Sequence, residues 1–313
     1  MQAVIVAGGK GTRLRPLTYR IPKPMLPLFE RPFLESLVMR CYEAGVTDIL
    51  INVHYQADQI REHFRDGQDF KVQIRYSHES SPLDTAGAVK LAEPYFNGTP
   101  LVVFNADILT GLDLKAFIAA HKESGAVATI ALTQVEDPTA FGLVELDAAG
   151  HVVAFREKPT AQEAARLGID TVNAGTYVLD PRVFVPVPAD TPWSFERQLF
   201  PKLLLEGQKV MGYLSEAYWL DIGNPAKYWQ AHFDILSGTM PYHLKAVQTL
   251  PGVWVGAGAQ IHPDADLKAP CFIGENCQLG EGAVILAGTV LGSGSLVNGP
   301  LGRGIYPPGT MLI

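Results

Sequence analysis

Short apolar runs alternate with amphipathic stretches along the first two-thirds of the chain, and this alternation predicts the fold. Residues 3–7, 47–53 and 101–105 are apolar runs of strand length, 71–76 alternates, and 126–133 reads as a further strand. Between them, 33–44, 57–64 and 113–124 carry helical spacing. In the first of these helices Leu34, Leu37, Val38 and Cys41 share one face and Gly45 follows the end, so Cys41 reads as a core residue. Residues 141–146 and 152–155 read as a two-strand excursion joined by the turn 147–150. A helix through 193–206, broken or restarted near Pro201, and another over 226–236 complete the segment. Strands alternating with helices over short connections imply an α/β fold with a largely parallel sheet covered on both faces. In such sheets ligands sit outside the carboxyl ends of the strands.

The period then changes. Val255, Ile261, Leu267, Ile273, Leu279, Ile285, Leu291 and Val297 recur at intervals of six. Four residues after each of the first seven stands a small residue: Ala259, Ala265, Cys271, Cys277, Ala283, Thr289 and Ser295. One aliphatic and one small residue per hexad fit a short left-handed parallel β-helix with three hexads per coil. Cys271 and Cys277 take small inward positions and read as packing residues. His262 lies in the repeat and raises acyl transfer as an alternative, but about eight hexads give under three coils, short for an acyl-CoA site. Open β-helix ends need covering, which favours a role in assembly. The expected organisation is a first domain over 1–238, a linker over 239–251 and a β-helix over 252–313.

Composition narrows the class. Apolar residues make up 47% and charged residues 18%, enough for a sizeable core. The net charge of −7 argues against a nucleic-acid partner, which needs a basic surface. Three cysteines, Cys41, Cys271 and Cys277, give no disulfide framework and suit a reducing, cytoplasmic location. No stretch approaches the ~20 apolar residues of a membrane helix. The short apolar start runs straight into glycines, so no secretory leader and no membrane partner are expected.

Candidate chemistry begins at those glycines. After 3–7 come Gly8, Gly9, Lys10, Gly11, Thr12, Arg13 and then Arg15. Glycines after a buried strand let backbone N–H groups approach a ligand, and the added cations suit a polyphosphate. The stretch lacks the Walker A pattern and the dinucleotide fingerprint, and Pro22 and Pro24 favour an extended segment over an immediate helix. Asp107 follows the strand 101–105, as a turn cap or as a ligand for a hard cation beside phosphate. Asp84 or Thr85 reads as the N-cap of a helix running through Leu91. Glu157 with Lys158 is a pair at a strand end, and Asn173 sits in a turn.

Gly8 to Thr18 (GGKGTRLRPLT) followed by PKPMLP resembles the signature of the sugar-1-phosphate nucleotidyltransferases. Within that family the chain is most similar to mannose-1-phosphate guanylyltransferases with a C-terminal hexapeptide-repeat domain. The resemblance extends to LDTAGA at 83–88, EKP at 157–159, VNAGTY at 172–177 and WLDIGNP at 219–225, where Asn224 replaces a Thr. It implies a Rossmann-like nucleotidyltransferase domain and transfer of a nucleotidyl group from a nucleoside triphosphate to a sugar 1-phosphate. GTP and mannose 1-phosphate are the implied pair. UTP or dTTP with glucose 1-phosphate or another sugar 1-phosphate is the alternative, and a non-catalytic regulatory subunit is the alternative of another class. Ala7, Gly8, Gly9, Gly11, Thr12, Arg13, Lys23, Thr85 and Gly87 would then hold the nucleotide. Gly142, Glu157, Lys158 and Asn173 would hold the sugar phosphate. Asp107 and Asp221 would hold Mg²⁺, and Arg13, Lys23, Asp107, Lys158 and Asp221 would carry catalysis. A homo-oligomer is implied as well.

Overall fold

Gln2–Val6 is the strand on which the first unit is built. It pairs in parallel with Leu101–Asn105 on one side and Asp48–Val53 on the other, with Val4 opposite Val103 and Leu50. The computed structural model describes residues 1–312. It divides into one unit of Met1–Met25 and Leu34–Trp219, and a second of Leu26–Phe33 with the described residues from Leu220 onward.

In the first unit nine strands form one sheet. Its path runs Val152–Glu157, Gly142–Leu146, Thr171–Leu179, Leu101–Asn105, Gln2–Val6, Asp48–Val53, Gln73–His78. The half that carries the glycine loop is parallel throughout. Thr171–Leu179 joins the other half in antiparallel fashion, and it also pairs Ala128–Gln134, beside which Val210–Leu214 lies parallel. Val4, Leu50, Val103, Tyr177, Phe195 and Phe200 are buried in one core. Each such side chain contributes about 1.5–3 kcal/mol by leaving water.

Local chemistry explains most element ends. Asp113 accepts from the Ala116 N–H at 3.0 Å to start Leu114–Ser124, and Gly125 ends it at φ 62°. The helical stretch over 193–206, expected to break or restart near Pro201, does so: it is a π-helical turn, Phe195–Leu199, followed by the α-helix Phe200–Leu205. Pro201 lies in the first turn of the second piece, where a missing N–H costs no helical bond. The N-cap expected at Asp84 or Thr85 is absent. Asp84–Leu91 starts without a side-chain cap, Asp84 has φ 60°, and the Thr85 hydroxyl accepts from the Phe195 N–H at 2.8 Å instead. Tertiary contact with the π-turn outcompetes the local cap.

The second unit holds the hairpin Pro27–Leu28 and Arg31–Pro32, the helix Pro225–Leu236 and the hexad region. Asn224 caps the helix by accepting from the Lys227 N–H at 2.9 Å, so it serves as Thr would. Strands of the hexad region stack in parallel on three sheets. Ile261 pairs Leu279, Leu279 pairs Val297, and Ile273 pairs Leu291, which is three hexads per coil. The final coil is shorter, with Thr289 opposite Gly304. Within 239–251, Val247–Leu250 forms an antiparallel strand on Val253–Val255. Cys271 and Cys277 are buried, free and part of the β-helix core, as their spacing implies. Burial pushes the thiols up, to about 11 at Cys271 and about 12 at Cys41 in the first unit. Among the described residues no helix is long and apolar enough to cross a membrane.

His232 ties this unit together. Its ring is 1% exposed, its Nε2 accepts from the Phe29 N–H at 3.1 Å, and its Nδ1 lies 2.9 Å from the Tyr228 carbonyl. Both contacts require the neutral ring protonated at Nδ1. Burial pushes its pKa down from 6.5 to about 4. As pH falls through this window the unfolded chain takes up a proton that the folded chain refuses. The residue's stabilising contribution is therefore complete above 6.5 and gone below 4, a loss of about 3 kcal/mol. Chemical denaturation at pH 7, 5 and 4 is expected to show this decline in wild type and a flatter profile in His232→Gln. Equal slopes would remove His232 as the cause.

Candidate functional site

The parallel central strand delivers two loops to the same edge of the sheet. After Gln2–Val6 the Ala7 N–H donates to the Asn52 carbonyl at 3.0 Å, and Gly8 and Gly9 follow. Gly11 takes φ 59°, and a Cβ there would stand 2.9 Å from the Lys23 Cβ. Only glycine lets the loop and the Lys23 segment lie this close. The buried Thr18 hydroxyl donates to the Gly11 carbonyl at 2.7 Å and fixes the turn. Thr12–Leu14 forms a single 3₁₀ turn, leaving Lys10, Thr12 and Arg13 exposed around the loop.

After Leu101–Asn105 the Ala106 N–H donates to the Val6 carbonyl at 3.1 Å, which places Asp107 beside the glycine loop's origin. The Lys23 ammonium lies 2.6 Å from the Asp107 carboxylate, with side-chain exposures of 12% and 30%. Two residues 84 positions apart thus form one charged centre.

A second group collects around the bulged strand Thr171–Leu179. Gly142 lies opposite Glu157 in register, and a Cβ at Gly142 would stand 3.0 Å from the Glu157 carboxylate. Lys158 takes φ 48° and its ammonium lies 3.6 Å from Glu157, with the side chain 68% exposed. The Asn173 amide donates to the Tyr177 hydroxyl at 2.8 Å and to Glu196 at 3.2 Å, while its oxygen accepts from the Gly175 N–H. Gly175 at φ 71° permits the bulge, and a Cβ there would stand 3.1 Å from the Asn105 amide. Asn105, two residues before Asp107 in sequence, thereby lies beside the second group. Burial, then the nearby Glu196 charge, raises the Glu157 carboxyl above its ordinary value.

The predicted Thr85 meets this second group. Its hydroxyl lies 3.4 Å from Glu196 and accepts from the Phe195 N–H of the same π-turn. Gly87 is buried, and a Cβ there would stand 2.5 Å from the Thr191 carbonyl, so helix packing accounts for its lack of a side chain. Asp221 ends the strand Trp219–Asp221 and belongs to the second unit. Trp219, in the first unit, donates from its indole N–H to the Ala174 carbonyl at 2.9 Å.

Sequence reasoning overlooked two carboxylates. Glu196 accepts from Ser194, Tyr177 and Asn173, and its only sequence signal was a serine two residues ahead within a stretch read as a helix broken or restarted near Pro201. Glu79 is 4% exposed, accepts from the Leu83 N–H at 3.0 Å, and lies where a Cβ on Gly8 would meet it at 2.5 Å. Burial raises its carboxyl as well. No motif surrounds it, so nothing local marked it.

The first group offers backbone donors, cations and one part-exposed carboxylate, which together can hold a polyphosphate with a divalent ion. The second offers carboxylate and amide groups spaced for a polyhydroxylated ligand. The model of the family described as Nucleotidyl transferase matches residues 2–238. A UTP--glucose-1-phosphate uridylyltransferase of Synechocystis is 34% identical, covering 95% of this chain and 80% of its own. A mannose-1-phosphate guanylyltransferase of Mycobacterium tuberculosis is 35% identical, covering 95% and 83%. The crystal structure of HddC from Yersinia pseudotuberculosis complexed with GMP-PN is 31% identical, covers 74% of this chain and 97% of its own, and superposes with a TM-score of 0.63. A glycine loop on a doubly parallel strand, the Lys23–Asp107 centre it abuts, and these likenesses together place the chain in the nucleotidyl transferase family.

Proposed function

We propose that the protein transfers a guanylyl group from GTP to mannose 1-phosphate, releasing pyrophosphate. The relatives named for guanylyl transfer support the base and the sugar. The observation that carries the chemistry is the Lys23–Asp107 pair at the glycine loop. The uridylyltransferase likeness over 95% of the chain favours a second reading, the same chemistry with UTP and glucose 1-phosphate.

An oxygen of the sugar phosphate attacks the α-phosphorus, and the bond from that phosphorus to the bridging oxygen breaks as pyrophosphate leaves. The attacking group needs no general base, since a phosphate's second pKa is ~6. Backbone N–H groups of Gly8, Gly9 and Gly11, with Ala7, Thr12 and Arg13, hold the triphosphate, and Thr85 and Gly87 line the nucleotide side. Lys23 exchanges its contact with Asp107 for phosphate oxygens. Gly142, Glu157 and Asn173 seat the sugar, and Lys158, poised on an exposed stem, neutralises its phosphate. Catalysis is thus positioning and charge neutralisation.

Asp107 and Asp221 are the proposed Mg²⁺ ligands. Among the described residues no group of three His, Cys, Asp or Glu side chains forms a protein cage. Magnesium takes one or two carboxylates and fills its shell with water and phosphate, and the part-exposed Asp107 beside a cation-occupied position fits that donor set. When bound, the ion supplies charge stabilisation to the transferring phosphates. The buried free thiols fit a cytoplasmic location, and the β-helix is the proposed surface for homo-oligomer assembly.

Pyrophosphate release with Mg²⁺, measured across several nucleoside triphosphates and sugar 1-phosphates, tests the reading. A single active pair at GTP and mannose 1-phosphate supports it, activity at UTP and glucose 1-phosphate supports the second, and no activity from folded protein leaves a regulatory subunit. Lys23→Ala and Asp107→Ala are expected to lower kcat by about 10²–10³. Turnover near wild type in either folded variant would reject the mechanism. Asn173→Ala is expected to raise KM for the sugar 1-phosphate by roughly twofold to tenfold, the worth of a neutral hydrogen bond. KM for the nucleotide should stay near wild type, and an equal rise in both would assign Asn173 to general folding.

A further inference from the structure

Tyr177 is the largest fully buried side chain among the described residues. Its ring packs on Phe195 at 4.9 Å and on Phe200 at 5.4 Å, all within the first unit. Its hydroxyl nevertheless stands in a polar cluster. Glu196 lies 3.3 Å away, the Asn173 amide 2.8 Å away, and the Asn105 side chain hydrogen-bonds to the same oxygen. A hydroxyl has one proton to give and two lone pairs. The Glu196 carboxylate accepts that proton, so the Asn173 and Asn105 amides both donate to the oxygen. Burial, then the Glu196 charge, pushes the phenol well above its ordinary value, so the hydroxyl keeps its proton.

The two amides differ in what their oxygens meet. The Asn173 oxygen accepts from the Gly175 N–H at 3.0 Å. Asn105 Oδ1 is buried and has no partner among the described residues. Asn105 ends the strand Leu101–Asn105 and shares a sheet face with Val103, at the edge where the glycine loop emerges. Gly175 leaves the amide its room, since a Cβ there would stand 3.1 Å from Asn105 Nδ2. A buried acceptor left unpaired is costly, and a ligand that donates to it accounts for its retention.

We propose that Asn105 is a further sugar-binding residue and Tyr177 its positioning residue: by taking the Asn105 N–H, the Tyr177 hydroxyl leaves Oδ1 to accept from a sugar hydroxyl. The inference rests on the seat for the sugar beside Glu157 and Asn173 given above. Without the Tyr177 hydroxyl the amide is free to turn its NH₂ into the site and lose the acceptor. Tyr177 itself, sealed in the core, touches no substrate.

The test measures KM in the full chain for Asn105→Ala, Tyr177→Phe and the double variant. Each single variant is expected to raise KM for mannose 1-phosphate by roughly twofold to tenfold, with KM for GTP near wild type. Tyr177→Phe keeps the ring that fills the core. Because Tyr177 acts through Asn105, the double variant should fall short of the product of the two single effects. The side-chain amide protons of Asn105, followed by proton–nitrogen correlation NMR and identified by their loss in Asn105→Ala, give a measure independent of activity. Their exchange with solvent should be faster in Tyr177→Phe than in wild type. Unchanged exchange, or single effects on KM that multiply in full, would overturn the proposal. If Tyr177→Phe fails to fold, Asn105→Ala decides alone, and a wild-type KM for the sugar 1-phosphate in that variant overturns the proposal. Faster exchange at Asn105 together with a wild type inactive on every substrate pair would uphold the hold of Tyr177 on Asn105 and reject the functional reading instead.

Discussion

Parallel pairing of Gln2–Val6 on both flanks is the constraint on which the site depends. Parallel neighbours point their carboxyl ends the same way, so the glycine loop after Val6 and the turn after Asn105 must emerge together. The Ala106 N–H on the Val6 carbonyl locks that relation, and Lys23 then finds Asp107 across a long sequence gap. Had Leu101–Asn105 paired antiparallel, the turn after Asn105 would have emerged at the opposite edge. The Lys23–Asp107 centre is therefore a consequence of sheet topology before it is a matter of side-chain preference.

The second group follows a different rule. Its strand Thr171–Leu179 runs antiparallel to the parallel half and is bulged between Asn173 and Tyr177. The bulge turns Asn173 toward Tyr177 and Glu196, and it needs Gly175 because the Asn105 side chain occupies the space a Cβ would take. Two carboxylates, Glu157 and Glu196, stand close enough that the charge of one raises the pKa of the other. Such a pair gains from hydroxyl groups that donate to it, and Lys158 supplies positive charge nearby.

The hairpin of the second unit is held within that unit from two sides. The β-helix coils present main-chain N–H groups and a serine hydroxyl at regular intervals, and Glu30 engages two successive coils at once. His232, neutral and buried, holds the adjoining residue of the same hairpin. Acidification and loss of Glu30 thus strain one short segment from two directions.

The sequence alone determined what is written in local periodicity. Apolar runs marked the strands, helical spacing marked the helices, and a six-residue repeat marked the β-helix, because side-chain direction repeats with the backbone that carries it. The glycine loop and the carboxylate after 101–105 were legible for the same reason, as strand ends have local signatures. What tertiary structure decided were the features set by partners distant in sequence. Thr85 abandoned a local cap for Phe195, the helix through 193–206 opened into a π-turn around Glu196, and Glu79 came to rest against Gly8. None of these follows from neighbouring residues, since each depends on which surface the fold presses against that side chain. The exchange of Leu26–Phe33 into the second unit is the plainest case. Its sequence reads as a continuation of the loop that carries Lys23, and only the packing of Phe29 and Glu30 on residues more than 200 positions away reveals where it belongs.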